Sequence, residues 1–374
     1  MKQILNLMLV FTLLLGSVFV SCEKKKKIET EQELAVTYDR KVLLTNLSSA
    51  YIIPSYKVFN DNIKSLEQKK NSFIQSPSTT SLEGLRSAWN KALLSWQEIA
   101  FLEFGPAADI SLRAQTNVYP VDTSLINSNI SRGGYNLAIA NNFNAKGLQA
   151  LDYLLYSESD DSKAVDFVAT SEVASYVTAV IADLKSNSQY VTDKWTSYSI
   201  EFIANSENNA DGSSVSIVVN TITNHYEAFI RRGKIGIPSG VFNGFSKQEM
   251  PGHVEALYSH KSIENALRSM EAFENFFNGI NYVKSSNGEG LSDYLVFTET
   301  KKDGQLLATV IQNQINSIKS SILILNEPFD NEVVVNKTKV SDCYQEMQKL
   351  VSLLKVDLTA SLGVLVNYQD SDGD

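Results

Sequence analysis

Two stretches of this 374-residue chain carry side chains whose types and spacing can do chemistry. In the run AKGLQALDYLLY from Ala145 to Tyr156, Gln149 and Asp152 stand three positions apart, so on a helix they share one face beside an apolar stripe. An amide and a carboxylate so placed can hold a cation or a polar ligand, although most such pairs are simply solvated or satisfied by packing. The second stretch runs from Arg231 to His260. Gly233, Gly236, Gly240, Gly244 and Gly252, with Pro238 and Pro251, punctuate Lys234, Ser239, His253, Glu255 and His260. So many glycines close together, in a chain with only 18, mark backbone that needs special dihedrals or close approach. A ligand loop and a tight interdomain connection both meet that description.

Stronger chemistry is missing from the sequence. No His-Glu-x-x-His, Gly-x-Ser-x-Gly, Walker or EF-hand pattern occurs, and Gly288-Glu289-Gly290 reads as a turn. His225, His253 and His260 are the whole histidine supply, so a transition-metal centre would need carboxylate help. The 33 basic residues are outnumbered by 42 acidic ones, and no basic stripe is present to neutralise a phosphate backbone, which excludes nucleic acid as a partner.

The elements that must position these residues read as helices. Apolar residues make up 43% of the chain and there are only 7 prolines, which argues against a turn-dense β fold. Thr80-x-x-Glu83 resembles a capping box, and Leu82, Leu85, Trp89, Leu93, Trp96 and Ala100 recur at helical spacing until Gly105-Pro106. Val173 through Phe202 writes a second long helix. Ser213 caps a third, with Val215, Val218, Ile222, Tyr226 and Phe229 inward and Arg231-Arg232 at its C-terminal end. Ser262 opens a helix that ends at Asn278-Gly279. Further helices are expected near residues 34–53, 56–75, 134–156, 304–325 and 340–366, with period-two alternation confined to Glu332–Asn336. The expectation is an all-α protein of two helical bundles, residues 34–160 and 161–374, cut at the Ser157–Ala164 loop or alternatively at the Asn205–Ser214 loop.

The N-terminus has its own logic. Lys2 precedes an apolar run from Ile4 to Val20, short for a bilayer span of roughly 20 residues and shaped like a secretory signal, with an uncleaved anchor or an ordinary secreted protein as the alternative. Phe19-Val20-Ser21-Cys22 resembles a bacterial lipobox, with Phe19 where leucine is usual. Residues 1–21 are then a cleaved signal, Cys22 carries lipid, and residues 22–33 form a tether with Lys24–Lys27 beside the headgroups. The protein is thereby expected in the cell envelope, lipid-anchored to the outer membrane and facing the periplasm or the cell surface. Cys343 remains as the one free thiol, on a helical stretch where a small buried hydrophobe is the expected role.

Taken together, four segments resemble one family. WNKALLSWQEIAFLEFGPA (89–107), NAKGLQALDYLLY (144–156), GKIGIPSG (233–240) and VEALYSHKSIENALRSMEAFENFFNG (254–279) look like an imelysin-like protein, the insulin-cleaving or iron-regulated-protein family, in matching order from about Tyr38 to Tyr368. The resemblance implies two bundles around an interdomain cleft and a Gly-x-His-x-x-Glu motif taken for a metal or catalytic site. Here the motif positions hold Gly147, Gln149 and Asp152. A neutral amide is a poor ligand for zinc or ferrous iron and cannot act as a general base, so the peptidase label is in doubt for this chain.

Asp152 can still ligate a hard divalent cation, with iron, zinc and calcium as candidates, or pair with Lys234. The ligand-binding set implied for the cleft is Gly147, Gln149, Asp152, Lys234, Gly236, Ser239, His253 and Glu255. Three functions follow: a non-catalytic envelope binding lipoprotein working with iron or haem uptake components; a metallopeptidase recruiting His253, Glu255 or His260 to Asp152; and a structural or partner-binding envelope protein that uses its 16 tyrosines and 17 phenylalanines as contact surface.

Overall fold

A computed structural model describes residues 37–283 and 286–368. The signal segment, Cys22 and the tether lie outside the described residues. Asp39 caps α1 (Arg40–Asn46) by accepting the amides of Lys41 and Val42, and α1 runs through a π-helical turn (Leu47–Ile52) into α2 (Ile53–Gln75). α3 (Thr79–Gln97) starts two residues before the Thr80/Glu83 box: Ser78 and Ser81 exchange side-chain and backbone bonds at 3.2 and 3.0 Å. It also ends earlier than Gly105. Ile99, Ala100, Phe101, Leu102 and Phe104 are all buried, which one face of a continuing helix could not achieve, so the chain unwinds there. Gly105, at φ +53°, then opens α4 (Pro106–Asp109), followed by α5 (Leu112–Thr116) and α6 (Thr123–Arg132).

The expected helix over 134–156 is shorter than its apolar pattern suggests. A 3-10 turn (Ala140–Ala145) precedes α7 (Gly147–Tyr156), because Gly147 sits at φ +75°, where helical dihedrals are broken. After α8 (Asp161–Ala169) comes the 34-residue α9 (Ser171–Ala204), which packs along α2 and α7. α10 (Ser214–His225) is capped by Ser213, as its sequence predicts, but does not stop at Arg231-Arg232: it continues as a π-helical segment (Tyr226–Gly236). Both Arg231 and Lys234 are buried within that segment. Phe229, expected inward, is 37% exposed.

The remainder is a 3-10 turn (Pro251–His253), α11 (Ser262–Phe277), α12 (Leu291–Phe297), a hairpin of β1 (Lys301–Lys302) and β2 (Gln305–Leu306), α13 (Leu307–Leu323), α14 (Phe329–Val335) and α15 (Lys337–Ser352). A π-helical turn (Leu353–Leu358) leads into α16 (Thr359–Leu362). The fold is all-α; among the described residues that hairpin is the only sheet. The alternating Glu332–Asn336 segment is helical: Glu332 is buried and accepts from Asn326, Asn336 and Lys339, bonds a strand would not bring together.

Two sets of contacts organise the core. α2 packs on α3 and α9 around Tyr56, Phe59, Phe73, Trp89, Trp96 and Trp195, whereas α13 packs on α11 and α15 around Phe273, Phe277, Ile311, Ile315 and Met347. α11 touches α3 and the Tyr226–Gly236 segment, and this is where polar groups accumulate inside the protein. Among the described residues no single helix is long and apolar enough to cross a membrane.

Candidate functional site

Gly147 sets the position of α7. A Cβ there would lie 2.2 Å from the carbonyl oxygen of Thr116, so only glycine lets the start of α7 press against the end of α5. One and a half turns later, both polar residues of the motif are spent on the loop that follows the Pro251–His253 turn. Asp152 Oδ2 accepts the amide of Tyr258 at 2.9 Å and Oδ1 accepts that of Ser259 at 3.1 Å. Gln149 Oε1 accepts the amide of Ala256 at 2.8 Å, and its Nε2 donates to Asn117 Oδ1 at 2.8 Å.

That loop needs anchoring. Ala256 and His260 both hold φ above +50°, a region that costs an L residue free energy unless its surroundings impose it. Three backbone amides between them are held by two side chains of α7. Burial pushes the Asp152 carboxyl up to about 6; the bonds from Ser259 and Tyr258 pull it back, and the nearby Glu255 charge adds a smaller upward push.

A second polar cluster adjoins the first through Asn117. Lys234 Nζ donates to Glu255 Oε2 and, at 2.8 Å, to Gln97 Oε1. The other carboxylate oxygen, Glu255 Oε1, accepts from Gln97 Nε2 at 2.9 Å and from Asn117 Nδ2 at 2.7 Å. Ser269 Oγ donates to Gln97 Oε1 at 2.9 Å. Lys234 and Glu255 are 6% and 1% exposed, so this ion pair is largely removed from water and braced by the side-chain amides of Gln97 and Asn117. Lys234 therefore pairs with Glu255, not with Asp152.

Four of the sequence-predicted residues thus meet around one loop and its adjoining cluster, Gln149, Asp152, Lys234 and Glu255, and Gly147 positions the helix that carries the first two. Gly236, Ser239 and His253 lie elsewhere. Gly236 is packed under Phe242 and Tyr344, where a Cβ would come within 2.9 Å of both rings. Ser239 Oγ donates to the Gly236 carbonyl at 2.8 Å, closing a turn. His253 ends its 3-10 turn half-buried, and its side chain lines neither the cavity beside Asp152 nor the one beside Lys234. His260 is exposed, 3.9 Å from Asp330. Sequence reasoning passed over Gln97, Asn117 and Ser269. None of the three stands out by type or spacing: even Gln97 sits between Ser95 and Glu98 among the apolar residues of 93–101.

The divalent cation that the family motif implies does not fit these donors. Each oxygen of Asp152 and the oxygen of Gln149 already receive a backbone amide, and Glu255 is neutralised by Lys234 and capped by two side-chain amides. Among the described residues no three histidine, cysteine, aspartate or glutamate side chains gather to hold an ion. The cavity beside Asp152 measures about 50 Å3, the size of a water or two.

Comparison with known proteins agrees with this architecture. Over 333 residues the chain is 19% identical to iron-regulated protein A of Synechococcus elongatus, covering 87% of this chain and 84% of that protein. Two solved structures share the fold: a chain described as an iron-regulated protein A precursor from Parabacteroides distasonis (TM-score 0.73, 17% identity, covering 88% of this chain and 97% of that one), and an imelysin-like protein from Psychrobacter arcticum (TM-score 0.68, 16% identity, 90% and 100%). The family model described as Imelysin matches residues 52–356, most of the sequence, and on that match the chain belongs to the imelysin family.

Proposed function

We propose that this protein is a non-catalytic member of the imelysin family that serves iron handling in the cell envelope, anchored by lipid on Cys22 and working beside iron or haem uptake components. The observation that carries the non-catalytic part is the state of α7: Gln149 offers no basic nitrogen, and its side chain and both Asp152 oxygens are engaged in holding the backbone of residues 256–259. The iron theme is supported by the names of the relatives, iron-regulated protein A in Synechococcus elongatus and its precursor in Parabacteroides distasonis. The anchor is supported by the Phe19–Cys22 lipobox-like sequence and the apolar run before it.

The test is direct. Purified protein is incubated with an unfolded protein substrate, with and without chelator, and a strain lacking the gene is grown under iron limitation. The expected results are no chelator-sensitive cleavage and a growth defect that wild-type protein rescues. A Cys22→Ser variant should leave the membrane fraction and fail to rescue. Chelator-sensitive cleavage would end the non-catalytic reading, and normal growth without iron would end the iron reading.

A further inference from the structure

Next to the network, between the segment 103–119 and the π-helical segment, lies a recess of about 360 Å3, within the range of small-molecule sites, roughly 300 to 1,000 Å3. Its wall is apolar: Ala114, Val118, Ala228, Phe229 and Ile237. Arg113 and Glu103 bring one charge of each sign, and Tyr119 brings a hydroxyl.

The polar groups of this recess are unusually under-used. Arg113 donates from Nε and Nη2 to a single acceptor, the Ala100 carbonyl, at 3.3 Å each, and lies 3.9 Å over the ring of Phe229. Of its five side-chain N–H groups three have no protein acceptor, and among the described residues no carboxylate oxygen stands within 4 Å of its guanidinium nitrogens, although Glu103 accepts its backbone amide. Burial lowers the proton affinity of this guanidinium and the Glu103 charge offsets that in part without touching it, which leaves room for a ligand's carboxylate in direct contact. The Tyr119 hydroxyl makes no hydrogen bond among the described residues, and Gly233 gives it room, since a Cβ there would stand 3.2 Å away. Behind both, a water-sized chamber of about 30 Å3 is lined by His225, which is 4% exposed and whose Nδ1 has no partner.

The spare Arg113 N–H groups can only donate and the Tyr119 hydroxyl can donate beside them, which suits an anion. Glu103 sets a second condition. Its carboxylate receives only the backbone amide of Arg113, at 3.1 and 3.2 Å, and burial raises its proton affinity while the Arg113 charge and amide pull it back, so a bare anion entering the recess would meet a carboxylate with no cation in direct contact. A ligand carrying a cation next to its anion meets both groups. We propose that the recess binds a small zwitterion of the α-amino-acid or dipeptide class, its carboxylate received by Arg113 and the Tyr119 hydroxyl, its ammonium by Glu103, and its apolar side chain by Phe229, Val118 and Ile237. The site lies beyond the α7 motif and does not depend on the iron reading.

The test is calorimetric titration of the full chain with L-phenylalanine, L-leucine and Leu-Leu, alongside N-acetyl-L-phenylalanine, which lacks the ammonium, and L-phenylalaninamide, which lacks the carboxylate. The expected result is saturable one-to-one binding of the zwitterions at up to millimolar concentration, with each blocked analogue weaker by about tenfold or more, since each loses a charge-assisted bond. Arg113→Lys, Glu103→Gln and Tyr119→Phe should each weaken binding while circular dichroism shows a folded chain. If Arg113→Lys fails to fold, Glu103→Gln and Tyr119→Phe, which remove one charge and one hydroxyl, carry the test. Absence of binding by every zwitterion would overturn the proposal, as would an N-acetyl or amide analogue that binds as tightly as its parent, or full affinity retained in all three variants.

Discussion

The buried Lys234–Glu255 pair gives the sharpest check on whether the polar interior is a scaffold or an open binding site. In Lys234→Met the lysine charge disappears but Glu255 stays buried. Its Oε1 keeps Gln97 and Asn117, while Oε2 loses its only partner, and Gln97 Oε1 keeps Ser269 alone. Stranding one member of a buried ion pair costs about 3–5 kcal/mol, and the same range applies to Glu255→Gln, which strands the ammonium.

The double variant Lys234→Met/Glu255→Gln leaves no net charge behind. Its amide can still accept from Asn117 or Gln97, and the methionine fills the volume of the lysine stem. The expected loss is about 1–2 kcal/mol, so the two single losses should exceed the double loss by several kcal/mol. Urea unfolding of the four proteins, with equal m-values as the control, measures this cycle. If the single losses add in the double variant to within about 0.5 kcal/mol, or if Lys234→Met loses less than about 1 kcal/mol, the pair is not the closed, desolvated unit described here.

Three further outcomes follow from the same geometry. Asp152 titrates near 6 when folded against an ordinary 3.8, so its protonation favours the folded state: the contribution is present at low pH and lost as pH rises through about 6. A gap of about two pH units amounts to roughly 3 kcal/mol at most, so wild type should gain on Asp152→Asn by about 2–3 kcal/mol between pH 7.5 and 4, read from paired urea midpoints; a pH-independent difference refutes the assignment. Gly147→Ala, forced against the Thr116 carbonyl at φ +75°, should lose at least about 2 kcal/mol in the same assay, and a neutral result would mean that α7 can retreat from α5. Cys343 is buried, accepts from Ser321 Oγ at 3.4 Å and is pushed by burial up to about 11, so a thiol reagent should leave it untouched in the native protein and label it once urea unfolds the chain.

What could be read from the sequence was whatever rests on local pattern. α9, α10 and α11 follow from apolar periodicity and their ends, because each buries one stripe against neighbours and needs nothing distant to define it. The π-helical continuation to Gly236 was not readable. Whether a helix widens depends on what packs against it, and here both Arg231 and Lys234 must turn inward. The same holds for the network. Gln97, Asn117 and Glu255 are 20 and 138 residues apart in turn, and no spacing rule links them; their shared role exists only once α3, the 112–117 turn and the loop after Pro251 have come together.

The changed motif is easier to understand from the loop than from the metal. The resemblance implies histidine and glutamate at the positions of Gln149 and Asp152. An imidazole there could offer a ring nitrogen, but it could not at once accept the Ala256 amide and donate to Asn117 with the geometry of a side-chain amide, as Gln149 does. A glutamate would be one methylene longer than Asp152, whose two oxygens each take an adjacent amide of the loop at 2.9 and 3.1 Å. The two residues therefore work as a pair, both suited to gripping backbone. Introducing Gln149→His alone should loosen the loop and lower stability without creating an ion site, whereas Gln149→His with Asp152→Glu is the least change that would have to be made before zinc or iron titration could show binding. If the single Gln149→His variant bound zinc tightly at full stability, the loop would not be what these side chains are for.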